Sequence, residues 1–361
     1  MTTDAFGGYG GIAKFNRDFL RSLCNNPDVT EVLAVPRRMP HPPEPLPPKL
    51  TYIVSGLNNK LSYVETLLSL CKKYRRIDII YCAHIHLLSV AYLLKLFFNA
   101  KILLILHGVD AWHPTKSKLN NYLTGKVDAI ITVSEITQAR FVKWADINRE
   151  RMFLLPNAIE VKDYGPGPKN TLLLEKYGLT GKVILMTLGR LSSEEKYKGF
   201  DEVMELLPEL SKNIPDIAYL VVGDGDDRPR LEAKASALGV GDRMVITGFV
   251  PEPEKADHFR LADAFVMPGR GEGFGIVFLE AMACGIPVVG SAIDGSREAL
   301  RDGTLGILVD PRNPSEIKAG ILEALKRPRG IVPEGLDYFS FENFEKRCHS
   351  ILREVAKLKE G

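Results

Sequence analysis

Pro268–Gly285 reads PGRGEGFGIVFLEAMACG: a glycine-rich turn that leaves an apolar strand and enters an apolar helix. Glycines at 269, 271, 273 and 275 let the backbone come close to a ligand. The helix begins near Gly275 or Ile276, and its unpaired N–H groups and dipole favour an anion such as a phosphate. Two carboxylates, Glu272 and Glu280, bracket this seat. Eight helical residues at about 1.5 Å each would span about 12 Å, whereas the carboxyl pair of a retaining glycosidase stands about 5 Å apart. Glu272 and Glu280 are therefore expected to grip opposite ends of an extended ligand. A nucleotide sugar fits, with one carboxylate on the sugar and one on the ribose.

Outward from this stretch, short β-branched runs alternate with helical patterns along the whole chain. Strands are expected at Glu31–Val35, Ile77–Tyr81, Ile102–Leu106, Ala129–Val133 and Met152–Leu155, then at Val183–Leu188, Ala218–Val222, Met244–Thr247, Ala264–Met267, Pro287–Gly290 and Gly306–Val309. Helices are expected between them, among others at Gly11–Cys24, Lys60–Tyr74, Glu135–Ala145, Asp201–Asn213, Arg228–Leu238 and Pro314–Leu325. Such alternation predicts an α/β fold of parallel sheets covered by helices. At 361 residues two domains are expected. Proline and glycine crowd in Val161–Asn170, VKDYGPGPKN, the composition of a linker. The expected division is a first doubly wound domain at 1–162, a linker at 163–170 and a second domain at 171–335. Facing domains of this kind leave a ligand cleft at the carboxyl ends of their strands. A doubly wound domain opens with a strand, yet only Met1–Phe6 precede the first glycine loop, so that strand is expected to be short or missing. An upstream native start, or a less stable and less active form, is the corresponding expectation.

Several strand ends carry polar or glycine-rich groups. GGYGGIA (residues 7–13) opens the first helix and can hold a pyrophosphate; a plain tight turn fits it equally. LGRLSSEEKYKG (188–199) places Arg190 and Lys198 just past a strand. There a planar fork and a movable point charge can stabilise a leaving diphosphate, or merely solubilise a loop. LHGVDAW (106–112) sets His107 at a strand end, facing a crevice in an open sheet, although a lone histidine there is more often structural. Gly223, in VVGDGDD, would let a ligand lie close, and TGFV, with Gly248 and Phe249, offers a backbone edge for a nucleotide base. Both also fit ordinary turns.

The net charge of +2 conceals an asymmetry. Residues 1–162 hold 21 basic and 13 acidic side chains, a balance of +8, and the remainder balances at −6. A basic first half suits anionic lipid or an anionic acceptor, or is solvated surface charge. Five scattered cysteines, without a C-x-x-C pair, argue against a disulfide framework or zinc site and fit a reducing cytoplasmic setting. No signal peptide is read. Leu87–Leu106 is the most apolar stretch, but Lys95, Asn99 and Lys101 interrupt it. It reads as a buried helix followed by a strand rather than a membrane span.

With GGYGGIA, LHGVDAW, ITVSE, LPNAI, LGRL…KYKG, VVGDG, ITGFV, ADAFVMP, EGFGIVFLEAMACG and PVVGSAIDG in this order, the chain resembles the family-4 retaining glycosyltransferases (glycosyl transferases group 1) of GT-B fold over nearly its whole length. The most specific element is the glutamate–seven residues–glutamate segment behind an Arg…Lys pair. The resemblance implies two Rossmann-like doubly wound domains with a cleft between them, and a tail, 336–361, crossing back as a helix onto the first. It implies a metal-independent, retaining hexosyltransferase that moves a sugar from a nucleoside-diphosphate sugar, UDP- or GDP-linked, to an acceptor hydroxyl in glycan, polysaccharide or glycolipid synthesis. Arg190 and Lys198 would contact the diphosphate and Glu280 the ribose. Glu272, with the N–H groups of Phe274, Gly275 and Ile276, would hold sugar and phosphate. Gly10 and Gly11 would approach the diphosphate from the other domain, and His107 would sit at the reacting sugar. No metal, cofactor or nucleic acid is expected. The expected partners are the nucleotide-sugar donor and a glycan or lipid-linked acceptor, with peripheral contact at the inner face of a membrane through the basic domain. An epimerase or phosphorylase on the same fold, or a non-catalytic nucleotide-sugar-binding subunit, are the alternatives.

Overall fold

The computed structural model describes residues 1–57 and 59–357. It divides into two compact units: Met1–Ala158 with the segment that returns at Phe341, and Ile159–Ser340.

The first unit carries parallel strands β1 (Val32–Ala34), β2 (Leu50–Tyr52), β3 (Ile79–Cys82), β4 (Lys101–Leu106), β5 (Ala129–Thr132) and β6 (Met152–Leu154). Its helices include α1 (Gly11–Asn25), α2 (Lys60–Lys73), α3 (Leu88–Phe98), α4 (Lys118–Leu123) and α5 (Glu135–Phe141). β1 pairs with β2, and β3 to β6 pair in chain order. Met1–Thr3 lies between the two sets. Thr2 N–H donates to Val35 O and Arg37 N–H to Thr2 O, while the Met1 amino group donates to Tyr81 O and Ala83 N–H to Met1 O. Three residues thus take the central place of a doubly wound sheet. The chain adds strands outward on either side of them, β1 then β2 on one side and β3 to β6 on the other. Residues 77–78 stay outside β3, and α5 stops at Phe141, four residues short of the expected end. There Trp144 turns back so that its indole N–H donates to Ala111 O at 2.9 Å. β2, only three residues long and half-exposed, was not expected from the sequence.

The second unit holds one six-stranded parallel sheet: β7 (Val183–Leu188), β8 (Ile217–Val222), β9 (Met244–Ile246), β10 (Ala264–Met267), β11 (Val288–Ser291) and β12 (Ile307–Val309). The spatial order is β12-β11-β10-β7-β8-β9. β7 and β10 are neighbours, and the chain runs outward from them in both directions, so the topological switch point lies between these two strands. Helices α6 (Thr171–Lys176), α7 (Phe200–Asn213), α8 (Arg228–Ala237), α9 (Lys255–Leu261), α10 (Ile276–Ala283), α11 (Ser296–Ala299) and α12 (Pro314–Ala324) complete the unit. The strands are apolar on both faces, and β8 and β10 are buried at every residue, as a sheet covered on two sides requires. One face packs on α7, α8 and α12 through Val203, Leu207, Leu231 and Ile321. On the other, Phe265 meets the edge of Phe278 at 5.5 Å and Phe259 at 5.6 Å.

The chain leaves the first unit at Ala158 and re-enters it at Phe341. The proline- and glycine-rich residues 163–170, expected as a linker, are fastened to the second unit. Arg260 donates to the carbonyls of Tyr164 and Gly165, Gly165 N–H donates to Ala283 O, and Lys169 pairs with Asp263 at 2.7 Å. Backbone without a ladder partner needs such side-chain donors, which composition alone does not reveal. The final helix, α13 (Phe341–Lys357), buries Phe344, Cys348, Ile351, Leu352 and Val355 on one face and packs on α1. Burial stabilises each large apolar side chain by roughly 1.5–3 kcal/mol. Asn25 Nδ2 donates to Glu345 at 2.7 Å, and Phe15 meets Phe344 edge-on at 5.6 Å. No helix among the described residues is long and apolar enough to cross a membrane.

Candidate functional site

At the switch point of the second unit, the loop after β7 and the loop after β10 bring charge together. Arg190 N–H groups donate to Glu195, and Lys198 Nζ pairs with Glu195 Oε2 at 2.9 Å. One carboxylate therefore holds both expected cations, and the linear sequence reading missed it. The spacing Arg-x4-Glu-x2-Lys was its only signal. Lys198 is 17% exposed at its side chain and Arg190 69%, so Lys198 is the cation sheltered enough to act in low dielectric.

The β10 loop rests on this one. Arg270 N–H donates to Tyr197 O at 2.7 Å, and Tyr197 fills the space beside Gly271, where a Cβ would lie 2.4 Å from its ring. Glu272 is thereby held near Lys198 and Glu195. Burial pushes its carboxyl up, and Lys198 and the N–H groups of Gly273 and Phe274 draw it back down. α10 starts behind it with Gly275 as N-cap at φ +87° and no side-chain cap, leaving its first N–H groups to a ligand. The side chains of Phe274 and Ile276 are buried, so these two residues present only backbone here, and the Phe274 N–H already faces the Glu272 carboxyl.

Asp294 underlies the loop, and sequence reasoning did not single it out. It is 1% exposed, and it accepts Glu272 N–H at 2.9 Å and Ser296 N–H at 3.0 Å. Burial pushes its carboxyl up to about 7 despite these hydrogen bonds. The folded state then binds the proton more tightly than the unfolded chain. The resulting stability is full below the ordinary aspartate range near 3.8 and is lost as pH rises through about 7. Between about pH 5 and pH 8 the wild-type melting temperature is expected to fall more than that of Asp294→Asn. Parallel melting curves would refute the assignment.

Glu280 is elsewhere, on α10. Its side chain is buried, Lys255 Nζ lies 3.5 Å from Oε1, and Oε2 has no hydrogen-bond partner. Glu252 pairs with Lys255 at 3.0 Å, and the Tyr164 hydroxyl lies against both carboxylates, which together with burial push it up. Burial pulls the Lys255 ammonium down, but Glu280 and Glu252 outweigh it and push it up. An unpaired buried carboxylate oxygen is costly and marks a position for a hydroxyl donor. At 0% exposure Glu280 meets that donor only after a neighbour moves, and the half-exposed neighbours are Lys255 and Tyr164.

The three remaining second-unit residues cluster at the ends of β8 and β9. Gly223 bridges Gly248, and Gly189 N–H donates to Val222 O. Phe249 is 59% exposed.

In the first unit Gly10 caps α1 at φ +91° with open space beside it, and Gly11 is exposed. The proline-rich loop packs over Gly7, with Glu44 Oε2 accepting its N–H at 2.7 Å. His107, at the end of β4, donates from Nε2 to Ala83 O at 2.9 Å, and its ring stands edge-on to Phe15. Burial pulls its imidazole down to about 4, so it is neutral near pH 7. Asp110 accepts His107 N–H, and burial pushes it up to about 7. Among the described residues no three His, Cys, Asp or Glu side chains form a metal-binding group.

Comparisons with known proteins match the chain to two domain models: Glycosyltransferase Family 4 at residues 9–163 and Glycosyl transferases group 1 at residues 172–336. The chain is 34% identical over 230 residues to a GDP-mannose-dependent alpha-(1-6)-phosphatidylinositol monomannoside mannosyltransferase of Mycolicibacterium smegmatis, covering 61% of this chain and 59% of that one. It is 30% identical to the alpha-D-kanosaminyltransferase of Streptomyces kanamyceticus, covering 56% and 52%. The chain thus spans little more than half the length of these curated relatives. Among solved structures, Anabaena HepE in complex with UDP and glucose matches with a TM-score of 0.77 at 18% identity, over 98% of each chain. The sucrose-phosphate synthase of Thermosynechococcus elongatus matches at 0.72 and 20% identity, over 98% of this chain and 96% of that one. These last two likenesses are of fold, the GT-B class of paired α/β units.

Proposed function

The chain belongs to the glycosyl transferases group 1, with a Glycosyltransferase Family 4 region ahead of that domain, and on that footing we propose that it moves a sugar from a nucleoside-diphosphate sugar to an acceptor hydroxyl with retention at the anomeric carbon. The observation that carries this reading is the meeting of Lys198, Arg190, Glu195 and Glu272 beside the uncapped start of α10, at the switch point of the second unit.

As the bond from the anomeric carbon to the diphosphate oxygen lengthens, negative charge gathers on the leaving phosphate. Lys198 and Arg190, held by Glu195, and the first N–H groups of α10 stabilise that charge without reorganising. Glu272 accepts hydrogen bonds from sugar hydroxyls and fixes the sugar's orientation, and Asp294 holds its backbone. Glu280 takes the ribose hydroxyls with its unpaired oxygen. The acceptor attacks from the face the diphosphate leaves, and the leaving phosphate takes the acceptor proton. By analogy with the mannosyltransferase relative, a GDP-linked donor and a lipid-linked acceptor at the inner face of a membrane are the favoured pair.

Nucleoside diphosphates should reveal the donor. A ligand at 100 times its Kd adds about 2.7 kcal/mol, which raises the melting temperature of a unit this size by about 5–10 °C. Glu280→Ala should lose most of the shift given by the best of UDP, GDP and ADP. No shift with any of them at millimolar concentration would sink the reading.

A further inference from the structure

In the first unit a polar cluster stands at neighbouring strand ends. His84 follows β3, and His107 and Asp110 follow β4. The carboxyl ends of parallel strands are where a doubly wound sheet meets its ligand. Backbone groups fix the cluster in place. Met1 O accepts Ala83 N–H, and Ala83 O accepts from His107 Nε2 at 2.9 Å. His107 N–H donates in turn to Asp110 Oδ1 at 3.2 Å. One oxygen of Asp110 is thus tied to the strand end. The other, Oδ2, is buried and has no hydrogen-bond partner among the described residues. An orphaned carboxylate oxygen is costly, and this one faces a donor that stops short of it.

That donor is His84. Its Nδ1 accepts His86 N–H at 3.2 Å, so the single proton of the neutral ring sits on Nε2. Burial pulls the imidazole down to about 3, helped by His107, His86 and Arg37, and the ring is neutral near pH 7. Nε2 lies 3.9 Å from Asp110 Oδ2, too far for a direct hydrogen bond. An oxygen about 2.8 Å from each atom fits the gap. It would accept from Nε2 and donate to Oδ2, which is what a hydroxyl does. The side chains of His84 and Asp110 keep 13% and 12% exposure, and a small swing of the His84 ring beside the exposed His86 opens Oδ2. Burial pushes the Asp110 carboxyl up to about 7, and a hydroxyl on Oδ2 would join the backbone N–H groups that draw it back down.

We infer that His84 and Asp110 hold one hydroxyl of the acceptor, and that the acceptor is a polyol such as a sugar rather than a monohydric alcohol. The inference rests on the transfer reading. The hydroxyl that attacks gives its proton to the leaving phosphate, whereas a hydroxyl in this seat commits its proton to Asp110. The seated hydroxyl is therefore not the reacting one, and the acceptor carries a second. A seat that both donates and accepts rejects an analogue lacking that hydroxyl, because its own polar atoms are then left unpaired.

Transfer measured at pH 8, where the Asp110 carboxylate is ionised, tests it. The probes are the octyl glycosides of mannose, glucose and galactose against n-octanol, with the mannose or glucose donor of whichever nucleoside diphosphate gives the largest melting shift. At least one glycoside should be glycosylated and octanol not. His84→Ala and Asp110→Asn should each raise KM for that glycoside about tenfold or more. Their kcat should change far less, since the contact is the same in the ground and transition states. His84→Gln keeps a donor and should recover part of the loss. Deleting the glycoside's hydroxyls one at a time should find one whose absence costs the wild type about tenfold or more in kcat/KM and Asp110→Asn little. Nucleotide-induced melting shifts should persist in all three variants. Absence of those shifts in the wild type would sink the transfer reading itself. With the shifts present, three results overturn this inference alone: octanol taken as well as the glycosides, no glycoside taken, or KM unchanged in both His84→Ala and Asp110→Asn, which would leave the gap to water.

Discussion

Lys198→Ala is expected to lower transfer at least about 100-fold, roughly 2.7 kcal/mol of barrier. Lys198 sits between two carboxylates: it pairs with Glu195 at 2.9 Å and draws the buried Glu272 carboxyl down. Its removal takes away the sheltered cation that would face the leaving diphosphate. It also leaves two carboxylates repelling that diphosphate, with the largely exposed Arg190 as the cation remaining on Glu195. Because charge on the leaving group grows toward the transition state, the loss should fall on kcat more than on KM. Lys198→Arg should recover little, since a rigid planar guanidinium cannot take the place of a compact, movable point charge between Glu195 and the diphosphate. Glu272→Gln should show a loss of similar size, because an amide accepts fewer hydrogen bonds from sugar hydroxyls than a carboxylate. Turnover at the wild-type rate in both Lys198→Ala and Glu272→Gln would remove these residues from the mechanism.

Gly223→Ala is expected to cost roughly 3 kcal/mol or more, from overpacking plus backbone strain. At φ +146° a Cβ on Gly223 would sit 1.9 Å from the Gly189 carbonyl oxygen. That neighbour is backbone and cannot rotate aside, so the loops after β7 and β8 must part. The melting transition of the second unit should drop by about 6–12 °C. Gly178→Ala is the control. It also has positive φ, at +65°, but nothing lies within 4 Å of the new methyl. It carries the left-handed penalty of roughly 1–2 kcal/mol alone. Equal losses in the two variants would show that the close approach of the loops contributes nothing. Displacing Gly189 would also shift Arg190, so donor binding should weaken in Gly223→Ala beyond what its stability loss explains.

The parts of this molecule legible in the chain were those with a local cause. The apolar runs of β7, β8 and β10, each closed by glycine or proline, read as buried parallel strands because a sheet covered on both faces needs side chains that are apolar on both sides. The start of α10 was legible for the same kind of reason: Gly275, its N-cap, stands at a positive φ that glycine takes without strain, and an apolar helix follows at once. Arg190, Lys198 and Glu272 could be named from their places just past strand ends, since strand ends at a switch point face the ligand in this class of sheet.

Which groups meet there was settled by long-range pairing. The adjacency of β7 and β10, whose paired residues lie 79 positions apart in the chain, sets Lys198 beside Glu272, and no local pattern encodes that adjacency. Glu195 looked like one of several loop acids until Arg190 and Lys198 converged on it. Asp294 looked like a turn residue until the Glu272 N–H reached it. Tyr164 became a neighbour of Glu280 because 163–170 is bound to the second unit by Arg260 and Lys169, and Lys255 because α9 packs on α10. Met1–Thr3, too short to register as a strand, gained its central place from partners on both sides at Val35 and Tyr81. Periodicity and turn chemistry act over a few residues, and so the sequence declares its elements and the chemistry at their ends. Burial, pairing and the resulting shifts of Glu272, Asp294 and Lys255 depend on what the folded chain packs against them, and only tertiary structure brings those groups together.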